Sequence, residues 1–309
     1  MMGFRVALLA IASALAACSG GGGATTMLMP QPNPSPLAIQ HAYVGQIRPA
    51  ELLAYNLPLI ASEQPSASLP LTASAYVNDC VDPTGALYVA AGGSIYAFAT
   101  PITSTSSPVF VLPTDNVTDC AVDAQGNLYV RTNIVDNVAL DIYPEPVHAG
   151  EFAVPIADLT QSYFLHATVT TDSASDVFTA DANSGLIQEW SPRNAGNKVI
   201  ATFGGTMRGS YGMSFGPDGN LYVANTFSNG IDVYKPTSFH DGGVKDHTVS
   251  LQQQQPHYIA FDRAGNMLVT VSQGSTSALL VVPPPYTAVS LIVPTPNSVF
   301  GTSGIAVSR

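Results

Sequence analysis

The sequence is short of charged residues, and basic ones above all. Asp, Glu, Lys and Arg make up 10% of the 309 residues, whereas about 25% is usual for a soluble domain. An amphipathic helix needs a polar face, so the shortage argues against a helical protein. Lys and Arg number 10 against 21 Asp and Glu, for a net charge of −11. A field of this sign repels phosphate groups, so we expect no nucleic-acid partner.

What the sequence has instead is apolar and turn-forming residues. Hydrophobic residues make up 46% of the chain, and it contains 26 Gly and 24 Pro. The apolar share is large enough for a globular core. Gly and Pro in these numbers indicate many turns. This combination favours an all-β fold.

The first residues follow the pattern of an export signal. Arg5 precedes an apolar run at 6–17, which has the length of a signal-peptide core and is too short for a membrane-spanning helix of about 20 residues. The sequence Leu15-Ala16-Ala17-Cys18 resembles the bacterial lipobox, in which the cysteine is lipidated and becomes the first residue. The resemblance implies a lipoprotein signal peptide at 1–17 and a lipid on Cys18.

Residues 18–38 are predicted to be a tether after the lipid. Four glycines at 20–23 are followed by alternating prolines up to residue 36, a composition typical of flexible and then extended linkers. We therefore expect a lipid-anchored protein of the bacterial cell envelope, with the membrane as a partner through Cys18. In lipoproteins of Gram-negative bacteria, a residue such as Ser19 after the lipidated cysteine favours the outer membrane.

Copies of one pattern recur along the rest of the chain. Each has a short apolar strand, a turn rich in Asp, Gly and Asn, and a second alternating strand, which is typical of a β-hairpin. Aligned on their turns, the copies are 41, 49, 44 and 46 residues apart. Repeats of about 40 to 50 residues with four strands each are typical of β-propellers. The turns are at Asp82, Asp123, Asp172, Gly216 and Asp262.

A sixth blade is predicted from the two ends of the chain. Residues 304–308 begin a further copy with one strand, while 42–45 and 50–55 resemble second and third strands that lack a first. Pairing these ends would close the ring and remove an exposed sheet edge. We predict a six-bladed β-propeller over residues 39–309, closed by pairing of the C-terminal strand with N-terminal strands.

One copy carries a resemblance to a known family. The segment 211–225, YGMSFGPDGNLYVAN, with NGIDVY at 229–234, resembles the NHL repeat and the related SMP-30/gluconolactonase-like propellers. In the lactonases a divalent metal at the axis is bound by Glu, Asn and Asp just ahead of the inner strands. The matching positions here hold Tyr211, His257 and Ser303, of which only His257 can bind a metal, so we expect no such metal centre.

The same registration predicts which side chains lie near the axis. Asp79 and Asp119 come from adjacent blades and could share a cation or form an acid/base pair; alternatively, they cap backbone amides or face channel water. Tyr211, His257 and Tyr258 could form a patch for a small polar ligand, or fill the channel as packing. The ligand-binding candidates are Asn78, Asp79, Asp119, Thr168, Tyr211, His257 and Tyr258, with Thr118 beside them.

These observations favour binding over catalysis. We expect a monomeric binding or scaffolding module for a protein or a small polar ligand, without a cofactor. The alternative is a metal-dependent hydrolase of the gluconolactonase type with a rearranged axial site, which would need a divalent cation.

Two cysteines remain besides Cys18. Cys80 lies two residues before its turn aspartate and Cys120 lies three before its own, and an offset of one residue places side chains on opposite faces of a strand. We therefore expect two buried thiols that are close in space, with a disulfide as the alternative.

Overall fold

The computed structural model describes most of the chain after the tether. The described residues are 39–47, 49–71, 77–114, 116–134, 137–145, 147, 154–159, 168–190, 199–205, 209–273, 276–296 and 302–308. The predicted signal peptide, Cys18 and the tether lie outside them. Within these residues, no helix has the length and apolar character needed to cross a membrane.

The described chain is built from β-strands, with one short 3-10 helix at Pro236–Ser238. In chain order the strands are β1 (His41–Gln46), β2 (Glu51–Asn56), β3 (Ala67–Pro70), β4 (Val77–Val81), β5 (Leu87–Ala91), β6 (Ser94–Phe98), β7 (Phe110–Pro113), β8 (Val117–Val122), β9 (Leu128–Ile134), β10 (Asn137–Tyr143), β11 (Val154–Leu159), β12 (Thr168–Thr171), β13 (Val177–Ala180), β14 (Leu186–Trp190), β15 (Val199–Gly204), β16 (Ser210–Phe215), β17 (Leu221–Asn225), β18 (Gly230–Tyr234), β19 (His247–Ser250), β20 (Gln255–Phe261), β21 (Met267–Gln273), β22 (Thr276–Val282), β23 (Leu291–Pro294) and β24 (Thr302–Val307).

In the described residues the strands form six four-stranded antiparallel sheets, which are the blades of a propeller. Blades 1 to 5 are β4–β7, β8–β11, β12–β15, β16–β19 and β20–β23, and each begins with its inner strand. Blade 6 combines β24 with β1, β2 and β3. The inner strands β4, β8, β12, β16, β20 and β24 pack in sequence around the axis. The predicted six-bladed fold is confirmed.

Closure of the ring also follows the prediction. β24 pairs antiparallel with β1, from Ala42 opposite Val307 to Gln46 opposite Thr302. Hydrogen bonds extend this pairing at its end: the His41 N–H donates to Ser308 Oγ at 2.8 Å, and the Ser308 N–H donates to the His41 carbonyl at 2.8 Å. The two ends of the described chain therefore form a single sheet.

The hairpin turns form where the sequence places Asp. In blade 1, Asp82 Oδ1 accepts hydrogen bonds from the backbone N–H groups of Thr84 and Ala86, at 2.8 and 2.9 Å. Gly85 has φ +96°, a conformation that glycine adopts without strain. The aspartate side chain thereby fixes the turn between the inner and second strands. The same arrangement recurs at Asp123 and Asp172, and Asp262 Oδ1 accepts from the N–H of Asn266.

The core is divided among the boundaries between blades. Each boundary in the described structure contains one cluster of buried apolar side chains. Along β5, Leu87 and Val89 pack toward blade 6, while Tyr88 and Ala90 pack toward blade 2. Alternate residues of a strand lie on opposite faces, so every blade supplies one face to each neighbour. Burial of both faces explains the continuous apolar runs in the second strands.

Cys80 and Cys120 form a disulfide between β4 and β8, with their Cα atoms 5.9 Å apart. The expectation of two free thiols is wrong. Cys80 lies opposite Tyr88, on the face toward blade 2, and Cys120 lies opposite Val130, on the face toward blade 1. Adjacent blades meet through opposite faces, so the offset of one residue is what allows the bond. The inner strands also approach closely enough for it.

Candidate functional site

A cavity of about 470 Å³ lies on the propeller axis and is lined by residues of all six inner strands. Asp79, Asp119, Thr168 and Tyr258 line its inner end, whereas exposed residues of the turns, such as Ser173, line its opening. The volume is within the usual range of small-molecule sites. The cavity therefore brings together four of the predicted residues.

Asp79 is a buried carboxyl group without a hydrogen-bond partner. It is 7% exposed, and neither of its carboxylate oxygens accepts a hydrogen bond. Burial, and next the charge of Asp119, raise the pKa of Asp79 well above its usual value; the backbone N–H of Ala306, which is near but does not meet hydrogen-bond geometry, lowers it in part. Such a group is costly unless something supplies a donor or a positive charge.

Asp119 is also buried, but its carboxylate oxygens accept hydrogen bonds. Its oxygens accept from the backbone N–H groups of Cys120 and Val169, each at 2.9 Å. Burial raises the pKa of Asp119 to about 7, although the Thr168 hydroxyl, these two amides and Arg131 oppose the rise. The two carboxyl groups at the inner end of the cavity thus differ: Asp119 accepts hydrogen bonds from the protein, and Asp79 accepts none.

Arg131 is a functional candidate that the sequence analysis missed. This residue of β9 is 2% exposed, and its Nη1 donates to the carbonyls of Thr168 and Ala180 at 3.2 and 3.0 Å. Burial lowers the pKa of Arg131 to about 10, opposed by the charges of Asp181 and Asp119. Arg131 therefore remains charged at neutral pH and compensates Asp119.

A signal for Arg131 was present in the repeats. Arg131 directly follows the ten-residue motif of its copy. In the other four copies the residue at this position is small and uncharged: Ala90, Ala180, Ala224 and Thr270. A single Arg in that column, in a chain with only 10 basic residues, indicates a buried charge that needs an acidic neighbour.

Asn78 connects three blades on the side of the cavity away from the turns. Its Nδ2 donates to the carbonyl of Thr118 on blade 2, and at 2.8 Å to the Tyr258 hydroxyl on blade 5. Gly212 of β16 leaves room for Tyr258, since a Cβ there would lie 2.8 Å from the tyrosine ring. Asn78 and Tyr258 therefore hold the inner strands together and end the cavity on this side.

The remaining predicted residues do not line this cavity with their described side chains. His257 lies at a bulge in β20, and its Nε2 is 2.7 Å from Ser272 Oγ on the neighbouring strand. Tyr211 belongs to β16, but its side chain lies outside what the structure describes. His257 and Tyr258 are thus directed to different neighbours, and of these two residues only Tyr258 lines the axial cavity.

The positions that the family resemblance implies for metal ligands do not form a metal site among the described side chains. Ser303 is buried on β24, and His257 pairs with a serine hydroxyl. Among the described side chains, no three or more from His, Cys, Asp and Glu are grouped so that they could bind a metal ion. The cavity lining contains three carboxyl groups, Asp79, Asp119 and Asp172, and the last two already accept hydrogen bonds from backbone amides.

Comparison with known proteins supports the fold. No family model matches the sequence, and no curated protein matches it. A protein of unknown function from Bacteroides caccae superposes with a TM-score of 0.67 at 10% identity, over 88% of this chain and 100% of that one. A functionally unknown protein from Desulfotomaculum acetoxidans superposes with a TM-score of 0.56 at 12% identity, over 84% and 83%. At this identity the likeness concerns architecture alone.

Proposed function

We propose that the protein is a binding module that takes a small polar ligand in its axial cavity. The propeller fold is compatible with a binding or scaffolding role. The observation that favours a small ligand is Asp79, a buried carboxyl with both oxygens unpartnered at the inner end of a cavity of about 470 Å³. A ligand that donates hydrogen bonds would relieve its desolvation.

We favour binding over metal-dependent hydrolysis because of the ligand set. A calcium site takes six to eight oxygen ligands and a zinc site usually four nitrogen, sulfur or oxygen ligands. Asp119 already binds two amides, so Asp79 is left as the one carboxyl in the cavity whose oxygens have no partner.

We further propose that the propeller is held at the bacterial envelope by a lipid on Cys18. The support is the lipobox-like sequence Leu15 to Cys18 and the Gly- and Pro-rich segment that follows it. The repeat motif at 211–225, which forms β16 and β17 of blade 4, favours distant kinship with NHL-repeat and SMP-30/gluconolactonase-like propellers.

Ligand-observed NMR with a panel of amino acids, sugars, amines and carboxylates tests the binding role. Thr171→Trp places an indole at the opening of the cavity, and Thr105→Trp places one on an exposed loop away from it. We expect at least one compound class to bind the natural protein and Thr105→Trp, but not Thr171→Trp. No binding at all, or binding that Thr171→Trp leaves unchanged, would refute the proposal.

A further inference from the structure

The chemistry around Asp79 restricts the class of ligand. The groups that face it are Asp119 on β8, Tyr43 on β1 and, through Asn78, Tyr258 on β20. From β24 the backbone N–H of Ala306 is near Asp79 but does not meet hydrogen-bond geometry. Within the described residues, none of these elements directs a Lys, Arg or His toward it. Asp79 is surrounded by acidic, phenolic and amide groups.

A count of charges gives the same result. Arg131 is bound to two carbonyls next to Asp119 and compensates that carboxylate. If Asp79 ionises as well, acidic groups outnumber the one cation, because Arg131 also lies near Asp181 and Asp172 lines the opening of the cavity. A ligand with a positive charge would reduce this excess, whereas a further carboxylate would worsen the repulsion.

The opening of the cavity indicates what else the ligand carries. Phe215 and Phe261 line it there, together with aliphatic residues such as Val81 and Val307. Aromatic and aliphatic surface suits an organic substituent, and the face of an aromatic ring also attracts cations. The cavity is acidic at its inner end, and its opening combines this apolar surface with polar residues such as Thr171 and Ser173.

We propose that the axial cavity binds a small organic ammonium compound, with its charged nitrogen at Asp79 and its apolar part toward the opening, where Phe215 and Phe261 are among the lining residues. This inference rests on the proposed binding function and names the class of ligand. The ammonium group donates to the oxygens of Asp79, which otherwise have no donor.

Binding of this kind is coupled to a proton. Without ligand, burial and Asp119 raise the pKa of Asp79, which favours the neutral carboxylic acid. An ammonium ion stabilises the carboxylate, so Asp79 gives up its proton to solvent as the ligand binds. Affinity should therefore increase as pH rises, by up to tenfold per pH unit while Asp79 is protonated in the free protein.

Isothermal titration calorimetry on the full chain tests the proposal, with benzylamine as the probe and benzyl alcohol as its uncharged control. We expect benzylamine to bind at least ten times more tightly than benzyl alcohol. Its affinity should increase from pH 5 to pH 7, and at pH 7 the measured heat should differ between phosphate and MOPS buffers, which differ in ionisation heat and are not primary amines, because a proton is released.

Two variants with the same net charge distinguish the effect of the cavity carboxyl on binding from the effect of the protein's overall negative charge. Asp79→Asn removes the carboxyl at the inner end, and Asp241→Asn removes one on an exposed loop. We expect Asp79→Asn to lose benzylamine binding by at least tenfold and Asp241→Asn to retain it. Thermal melts of both variants check that they are folded.

The outcomes distinguish this inference from the proposed function. Equal affinity for benzylamine and benzyl alcohol, undiminished binding to Asp79→Asn, or no binding of benzylamine would each overturn the ammonium proposal. Binding of a neutral compound that Thr171→Trp blocks would overturn it as well, but would leave the cavity as a ligand site.

Discussion

Cys80 and Cys120 are bonded across the boundary between blades 1 and 2, and each directly follows one of the two acids of the axial cavity. The bond closes a loop with a sequence separation of 40 residues and joins two inner strands that do not pair by backbone hydrogen bonds. It therefore constrains the ring at its centre.

The first prediction concerns the loss of this bond. Chain-entropy arguments give about 4 kcal/mol for a loop of this length, so the double substitution Cys80→Ala/Cys120→Ala should lower the free energy of unfolding by roughly 2 to 4 kcal/mol. Chemical denaturation of both proteins under non-reducing conditions measures it. Added reductant should destabilise the natural protein but leave the variant unchanged; equal sensitivity would contradict the prediction.

The second prediction concerns closure of the ring. Removing residues 302–309 deletes β24, the inner strand of blade 6. The edge of β1 is then left without a pairing strand, and an exposed edge favours aggregation. We expect the melting temperature to fall by more than about 10 °C, because several kcal/mol of packing are lost. Deletion of residues 19–38 is the control and should leave it within about 2 °C. A 302–309 deletion that melts like the natural protein would be incompatible with closure by β24.

Much of this architecture is predictable from the sequence because the turns repeat. Asp82 and Asp123 fix their turns by local hydrogen bonds, so spacing and turn chemistry identify the blades without knowledge of distant contacts. Blade 6 is also predictable, because the segment at 304–308 matches a first strand and the segments at 42–45 and 50–55 match the second and third strands of the same repeat.

The disulfide and Arg131 depend on relations between blades, which a single repeat does not contain. Aligning repeats places Cys80 and Cys120 on opposite faces, and the alignment is correct; what it omits is that neighbouring blades meet through opposite faces. Arg131 is similar, because its partners, the carbonyls of Thr168 and Ala180, belong to the next blade. Backbone carbonyls as partners leave no trace in the sequence.

The third prediction concerns the lipid. Cys18→Ser should abolish metabolic labelling with palmitate in a bacterial host, because its thiol is the proposed site of lipid attachment. Cys80→Ala/Cys120→Ala is the matched control and should be labelled normally. Labelling that persists in Cys18→Ser would rule out Cys18 as the anchor. Stable membrane attachment needs two acyl chains or more.

The fourth prediction concerns the buried guanidinium. Arg131→Met removes the donors to two carbonyls and leaves Asp119 without its compensating charge. A buried acceptor left without its donor costs about 1 to 3 kcal/mol, so we expect the loss of donors to two carbonyls to cost roughly 2 to 6 kcal/mol in urea unfolding at pH 7. Lys235→Met is the control, since its ion pair with Asp246 is exposed, and should change stability by less than about 1 kcal/mol. Equal effects would mean that Arg131 acts only as packing.

The last prediction follows from the pKa values of the cavity acids. Burial raises the pKa of Asp79 well above its usual value and that of Asp119 to about 7, so between pH 4 and 7 the folded state binds protons that the unfolded state releases. The free energy of unfolding should therefore decrease as pH rises through this range, by up to about 1.4 kcal/mol per pH unit for each acid.

Asp79→Asn isolates one acid, because no hydrogen bond to its oxygens is lost. The variant should be more stable than the natural protein at pH 7, the two should converge near pH 4, and its pH dependence should be shallower. Some slope remains from Asp119 and from Glu189, whose pKa burial also raises to about 7. Urea unfolding at half-unit pH steps measures the curves, with Asp241→Asn expected to run parallel to the natural protein. Parallel curves for Asp79→Asn would mean that Asp79 is ionised in the folded state, in which case the cavity holds a negative charge even without a ligand.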